Sequence, residues 1–324
     1  MSSCAESSVN NAYLARYQSL ARELNINIVP GTICEVHPAS SSSPEEDNKP
    51  REDGDDGGNG PQEPAFHNNQ PIEIRNMAYW ISSGTGELAG SYQKMNLWHP
   101  ERPHLTAGDI KRHKPHLAFD TPLMKPSPDG KGGQVPIRAG LLICWDLAFP
   151  EGFRALIADG ADMIIVPSYW WVTDVDEQAR KISRDAEKIF LESVCVTRAC
   201  ENTAAIVFCN AGGMSQVALP LKGVLPPVEL QGGGGEGGEG EEKEEHEEEG
   251  QEGIATRVGG GGGKKKKGSR SGIMGAETEE MQVVDVDFDV LRVAEENYKV
   301  RMDMGGKGWH YGYTLWRDGE GKKE

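Results

Sequence analysis

The stretch Gly140-Leu-Leu-Ile-Cys-Trp-Asp-Leu-Ala-Phe-Pro-Glu-Gly-Phe-Arg-Ala-Leu156 decides how this chain is read. The apolar run from Val135 to Cys144 predicts a strand. Pro150, whose missing N–H has no partner to lose in a first helical turn, predicts a helix from Pro150 to Asp159. Cys144 therefore sits at the carboxyl end of a strand, just before a helix, where open α/β sheets place their sites. A helix N-terminus and a nearby cation lower a thiol pKa and make it a nucleophile. The same spacing also suits a small buried core residue, a common role for cysteine. Geometry alone leaves both readings open.

Outward from that stretch, strands and helices alternate. Asp162 to Pro167 is a short apolar run of the kind buried on both faces of a sheet. A helix is predicted from Asp176 to Ala199, then a strand from Thr203 to Cys209. Strands are expected at Ser215–Leu219 and Met281–Asp287, and a helix at Asp289–Tyr298. Upstream, Leu14, Tyr17, Leu20 and Ala21 share one face of a helix from Ala12 to Leu24. A short strand is predicted at 26–31. Ile74–Ser82 and Leu88–Leu97 read as a hairpin around Ser83-Gly-Thr-Gly-Glu87, and a proline-rich loop fills much of 100–136. The pattern is that of a layered α/β domain.

The net charge of −17 describes linkers more than the folded body. The tracts Glu45–Glu63 and Glu236–Glu252 together carry −15 of it, and Lys264–Lys267 with Arg270 return +5. Residues 38–70 and 231–275 are rich in Ser, Pro, Gly and acids, and bury too little apolar surface to order themselves. They are expected as low-complexity inserts in a single domain spanning 1–324. Their glycine runs follow no strand, so a phosphate cradle is not expected.

No stretch approaches the ~18 apolar residues of a membrane span, and the first residues lack a signal peptide's basic start and apolar core. Six scattered cysteines make no disulfide framework, which favours a reduced, cytoplasmic setting. Cys195, Cys200 and Cys209 lack a histidine at finger spacing, so no zinc or other metal is expected. Nothing points to nucleic acid.

Cys144, Asp146, Pro150, Glu151 and Arg154 together resemble the nucleophile motif of the nitrilase superfamily of carbon–nitrogen hydrolases. In that motif the cysteine follows an apolar strand and precedes an acid and a Pro-Glu-x-x-Arg helix start. Tyr92-Gln-Lys-Met-Asn-Leu97 resembles the family's lysine motif, with Lys94 at the catalytic position. Asn27–Gly31, Ala161–Ser168, Arg198–Asn202 with Ala204–Val207, Ser215–Val217, and Val284–Asp287 with Tyr298 and Arg301 resemble further family segments, in order. The resemblance covers nearly all the sequence outside the inserts. It implies an α/β fold, the four-layer α-β-β-α sandwich of the nitrilase type. It also implies no cofactor and a homo-oligomer.

The family's catalytic triad is glutamate, lysine and cysteine, with the glutamate on a strand-helix-strand unit that should precede Ala12. The chain leaves no room for that unit, so it reads as N-terminally truncated. Its absence would leave a sheet edge open, and a start site drawn too far downstream is the simplest account. Glu6 lacks the motif's setting, and Glu23 falls on a solvated helix face. Glu101, seven residues after Lys94, matches the family's second acid, which helps position substrate. To serve as the base it must reach the thiol proton directly or through one water.

The expected activity is hydrolysis of a non-peptide C–N bond in a small-molecule amide, with a nitrile as the less favoured substrate. The route is a thioester on Cys144, with release of ammonia. Lys94 and the backbone N–H of Trp145 would stabilise the tetrahedral intermediate. The competing reading is a non-catalytic interaction protein that keeps the fold and lacks the base. A cysteine–histidine hydrolase would need His99 or His104 beside Cys144.

Overall fold

A computed structural model describes residues 7–39, 65–67, 70–108, 118–127, 132–228 and 281–306. In chain order the elements are α1 (Ser7–Leu24), β1 (Thr32–Pro38), β2 (Ala65–His67), β3 (Gln70–Ile81), β4 (Leu88–Gln93), β5 (Phe119–Pro126) and β6 (Gln134–Leu141). There follow α2 (Pro150–Ala158), β7 (Met163–Ser168), α3 (Glu177–Ile182), α4 (Ala186–Asn202), β8 (Ala205–Asn210), β9 (Gln216–Leu219), β10 (Gly223–Val224), α5 (Asp289–Tyr298) and α6 (Val300–Gly305).

Two sheets result. In the first, β3 pairs antiparallel with β1, β2 and β4. The second runs β10-β9-β8-β7-β6-β5, with β6, β7 and β8 parallel and the flanking pairs antiparallel. Met163 to Pro167 are all buried, as a parallel strand covered on both faces requires. The sheets meet where β4 packs on β5 and β6. There the Trp80 and Phe119 rings lie 6.0 Å apart, edge to face, and a Cβ on Gly90 would fall 2.2 Å from the Phe119 ring. Only glycine allows that approach. Helix α1 packs on β1 and β3, and α4 on β8, β9 and β10. Among the described residues no helix is long and apolar enough to cross a membrane.

Several sequence expectations need correction. The segment 26–31 makes a single bridge, Ile28 with Ile81, and the strand begins at Thr32. Part of the proline-rich loop is β5, an edge strand with a register shift between Asp120 and Met124. Proline is tolerated in such strands because an outward N–H is not needed. Residues 65–67, expected inside a low-complexity insert, pair with β3, whose backbone supplies the partners that composition could not reveal. Most of both inserts lies outside the described residues.

The helix expected over 176–199 is two, interrupted at Ser183, which is extended at φ −149°. The Ser183 hydroxyl accepts the Asp185 N–H at 3.2 Å, a local bond that competes with the helix. Residues 281–287 are not a strand. Burial alternates along them and Val284 and Val286 reach the core, but their backbone bonds are Val228 N–H to Val283 O, 2.7 Å, and Val290 N–H to Asp287 O, 3.3 Å, with no strand ladder among the described residues.

Candidate active site

Cys144 opens a 3-10 turn, Cys144–Ala148, which follows β6 after Leu142 and Ile143. Its φ is +49°, a left-handed conformation that L residues with a Cβ seldom hold. Such strain persists only where the surroundings enforce it. Asp146 supplies the enforcement. Its buried carboxylate accepts the Ile143 N–H at 2.9 Å, the Tyr92 hydroxyl at 2.9 Å, and the Asn96 backbone and side-chain N–H groups at 3.0 and 2.8 Å. One side chain thus closes the turn under Cys144 and ties it to the Tyr92–Leu97 segment. Burial pushes the Asp146 carboxyl pKa up, and these four donors oppose the shift.

Lys94 lies one residue beyond β4. Its N–H bonds to Asn76 O at 2.9 Å, and its carbonyl accepts from Gly108 at 2.8 Å. Since β1 pairs Cys34 with Asn76, the three residues form a row across the first sheet. The Lys94 side chain is fully buried and donates to Glu101 Oε2 at 2.5 Å. The same oxygen accepts the Trp98 N–H at 2.8 Å. A buried ammonium needs such a partner, because an unpaired one is strongly disfavoured. Asn76 is buried too, and its Oδ1 has no hydrogen-bond partner among the described residues.

These groups act on one thiol. Burial pushes the Cys144 pKa above the ordinary value. The Lys94 charge and the backbone N–H groups of Tyr169 and Trp145 pull it back, while the Glu101 carboxylate raises it. A thiolate or oxyanion here would therefore face one cation and two amides. The structure thus brings together all four residues singled out in the sequence, Cys144, Lys94, Glu101 and Trp145.

Sequence reasoning missed Tyr169, whose contribution is a backbone N–H placed by a loop after β7. That loop is held firmly. Asn210 accepts the Trp170 N–H at 2.7 Å and donates to the Trp170 carbonyl at 2.7 Å. Glu187 accepts the Trp170 indole N–H at 2.8 Å. A Cβ on Gly212 would fall 2.1 Å from the Trp170 carbonyl oxygen. Gly212→Ala is therefore expected to lose about 1–3 kcal/mol through overpacking, read as a lower urea midpoint.

The other candidates fall elsewhere. Glu23 is exposed, accepting from Ser19 and pairing with Arg16. Glu6 lies outside the described residues. His99 stacks on Trp98 at 3.9 Å and His104 is bonded through its backbone to Glu101. Both histidines are exposed. Cys195 is buried in α4, whereas Cys209 is exposed on β8.

The family model for carbon-nitrogen hydrolases matches residues 3–220, two-thirds of the chain. The chain belongs to the carbon–nitrogen hydrolase family. As a member of that family it is 34% identical over 97 residues to a probable nitrilase of Schizosaccharomyces pombe, which is 30% of this chain and 29% of that protein. It is 35% identical over 79 residues to an (R)-stereoselective amidase of a Pseudomonas species, covering 24% and 22%. The chain thus spans under a third of the length of these relatives. The crystal structure of a carbon–nitrogen hydrolase from Helicobacter pylori G27 superposes with a TM-score of 0.53 at 15% identity. That match covers 90% of this chain and 73% of the other, a likeness of fold.

Proposed function

We propose that this carbon–nitrogen hydrolase cleaves the C–N bond of a small-molecule amide, and less readily a nitrile, through a thioester on Cys144. The observation that carries the reading is the strained Cys144, with the Lys94 charge and the N–H groups of Trp145 and Tyr169 all acting on its thiol. Glu101 holds Lys94, and the thiol gives up its proton to a general base within reach directly or through one water. The thiolate attacks the carbonyl carbon, and the new oxyanion faces Lys94 and the N–H of Trp145. The C–N bond breaks, the proton moves to the leaving nitrogen, and ammonia departs. Water then attacks the thioester, giving the carboxylic acid and the free thiol. A nitrile would pass through a thioimidate. No step requires a cofactor or metal.

The setting proposed is cytoplasmic, where a nucleophilic thiol stays reduced. Cys34, Cys144, Cys195, Cys200 and Cys209 are all free. The two sheets between helices fit the α-β-β-α arrangement, and assembly as a homo-oligomer is part of the proposal.

A second reading, a non-catalytic scaffold, draws on Glu101 Oε2, which Lys94 and Trp98 already occupy. Ammonia release from a panel of primary amides and nitriles separates the two, together with intact-mass analysis after rapid quenching. The hydrolase should release ammonia and carry an acyl group on Cys144, and Cys144→Ser should lose both. Ammonia release with Cys144 never acylated would overturn the thioester. Silence on both measures would leave the scaffold.

A further inference from the structure

Around the nucleophile stands a wall of aromatic rings that the hydrolytic steps do not use. Trp145 lies at its centre. Its ring centroid is 4.4 Å from Trp98 at 69°, 5.3 Å from Trp170 at 51° and 6.0 Å from Phe149 at 83°. Trp170 continues to Phe190 at 5.5 Å. Beside Trp170 in the chain, Tyr169 and Trp171 form an edge-to-face pair at 5.6 Å and 89°, with Tyr169 68% exposed and Trp171 39% exposed. Trp170 is buried within the wall, and its two chain neighbours form a separate, exposed aromatic pair.

We infer that this wall receives the acyl part of the substrate, and that the substrate is the primary amide of an uncharged aryl or arylalkyl acid. The inference rests on the hydrolysis proposed at Cys144. A further ring gains most from edge-to-face or offset contact with rings of this kind. Charge disfavours the main alternative. Lys94, the buried cation beside Cys144, is already neutralised by Glu101. A substrate carboxylate would lose its water against apolar rings, and an ammonium already paired with Glu101 offsets that cost poorly. Amides of dicarboxylic acids should therefore be rejected.

The wall is also braced. Glu187 holds the Trp170 indole by its N–H, and Asn210 holds the Trp170 backbone on both sides. The buried indole N–H needs such an acceptor, and the bond also fixes the plane of the ring. Trp98 joins the wall to chemistry, since its N–H bonds the Glu101 carboxylate.

The test compares phenylacetamide, propionamide and succinamate in two assays. One is ammonia release; the other is protection of Cys144 from iodoacetamide, followed by peptide mass mapping. Phenylacetamide should exceed propionamide by about tenfold in kcat/KM and in protection, the worth of one or two good ring contacts. Succinamate should fall below both. Trp98→Leu keeps the backbone N–H and should bring the phenylacetamide-to-propionamide ratio towards one. Equal values for the first two amides, an unchanged ratio in Trp98→Leu, or a preference for succinamate would each overturn the aryl assignment while leaving hydrolysis at Cys144 intact. Turnover of none, with no protection of Cys144 by any amide, would overturn both. Protection by phenylacetamide without turnover would uphold the aryl surface and count against the hydrolase.

Discussion

Asp146→Ala is expected to destabilise the protein by about 3–5 kcal/mol, more than any other single change at the site. The cost of a polar deletion is set by the partners it strands, and each buried donor left unsatisfied costs about 1–3 kcal/mol. Asp146 is fully buried and accepts four N–H or O–H groups at 2.8–3.0 Å. The Ile143 N–H and the Tyr92 hydroxyl lie where water cannot readily replace the lost oxygen. Asp146→Asn keeps one acceptor but turns an amide N–H₂ towards donors, so it should fall between wild type and alanine. Urea denaturation followed by circular dichroism gives the ranking. A cost below about 1 kcal/mol, the range of surface changes, would show that the network does not hold the turn. Because the same carboxylate links the Cys144 turn to the Lys94 segment, Asp146→Asn should also lose hydrolysis beyond its loss of folded protein.

Lys94→Ala is expected to lower the rate of ammonia release by roughly 10²–10³, the cost of deleting one oxyanion donor in a water-poor site. Arginine should not rescue it, since a planar guanidinium cannot replace a compact ammonium in a fully buried position. The thiol supplies an independent reading. The Lys94 charge lowers the Cys144 pKa and the Glu101 charge raises it. The pH at which iodoacetamide alkylates Cys144 at half its maximal rate should therefore move up in Lys94→Ala and down in Glu101→Gln. In the wild type it should lie above the ordinary thiol value, because burial dominates. Opposite shifts cannot arise from a general loosening of the fold, which would expose the thiol in both variants. A Lys94→Ala enzyme with full activity would remove Lys94 from the reaction.

The nucleophile turn was legible because its signals are local. An apolar strand, a cysteine and a proline-started helix occupy consecutive positions, and each has its own steric cause. Lys94 and Glu101 were legible through motif and spacing, and their 2.5 Å pairing agrees with a seven-residue separation across a short turn. Strand β5 was not legible, because its prolines read as loop until β6 supplies a partner. The break at Ser183 and the lack of a strand over 281–287 were hidden for the converse reason. Helical propensity and alternating apolarity persist there whether or not the backbone finds its bonds.

By itself the sequence determined most of the alternation of strands and helices and the family, and it named the groups proposed to react. Those depend on residue type and on neighbours within a few positions. Only the tertiary structure decided that Asp146 accepts donors from residues some fifty positions away and that the Tyr169 N–H serves the thiol. It likewise gathered Trp98, Trp145 and Trp170 into one wall. A backbone N–H has no residue type to read, and a ring contact between distant segments leaves no periodic trace. Such features exist only once the sheets have packed.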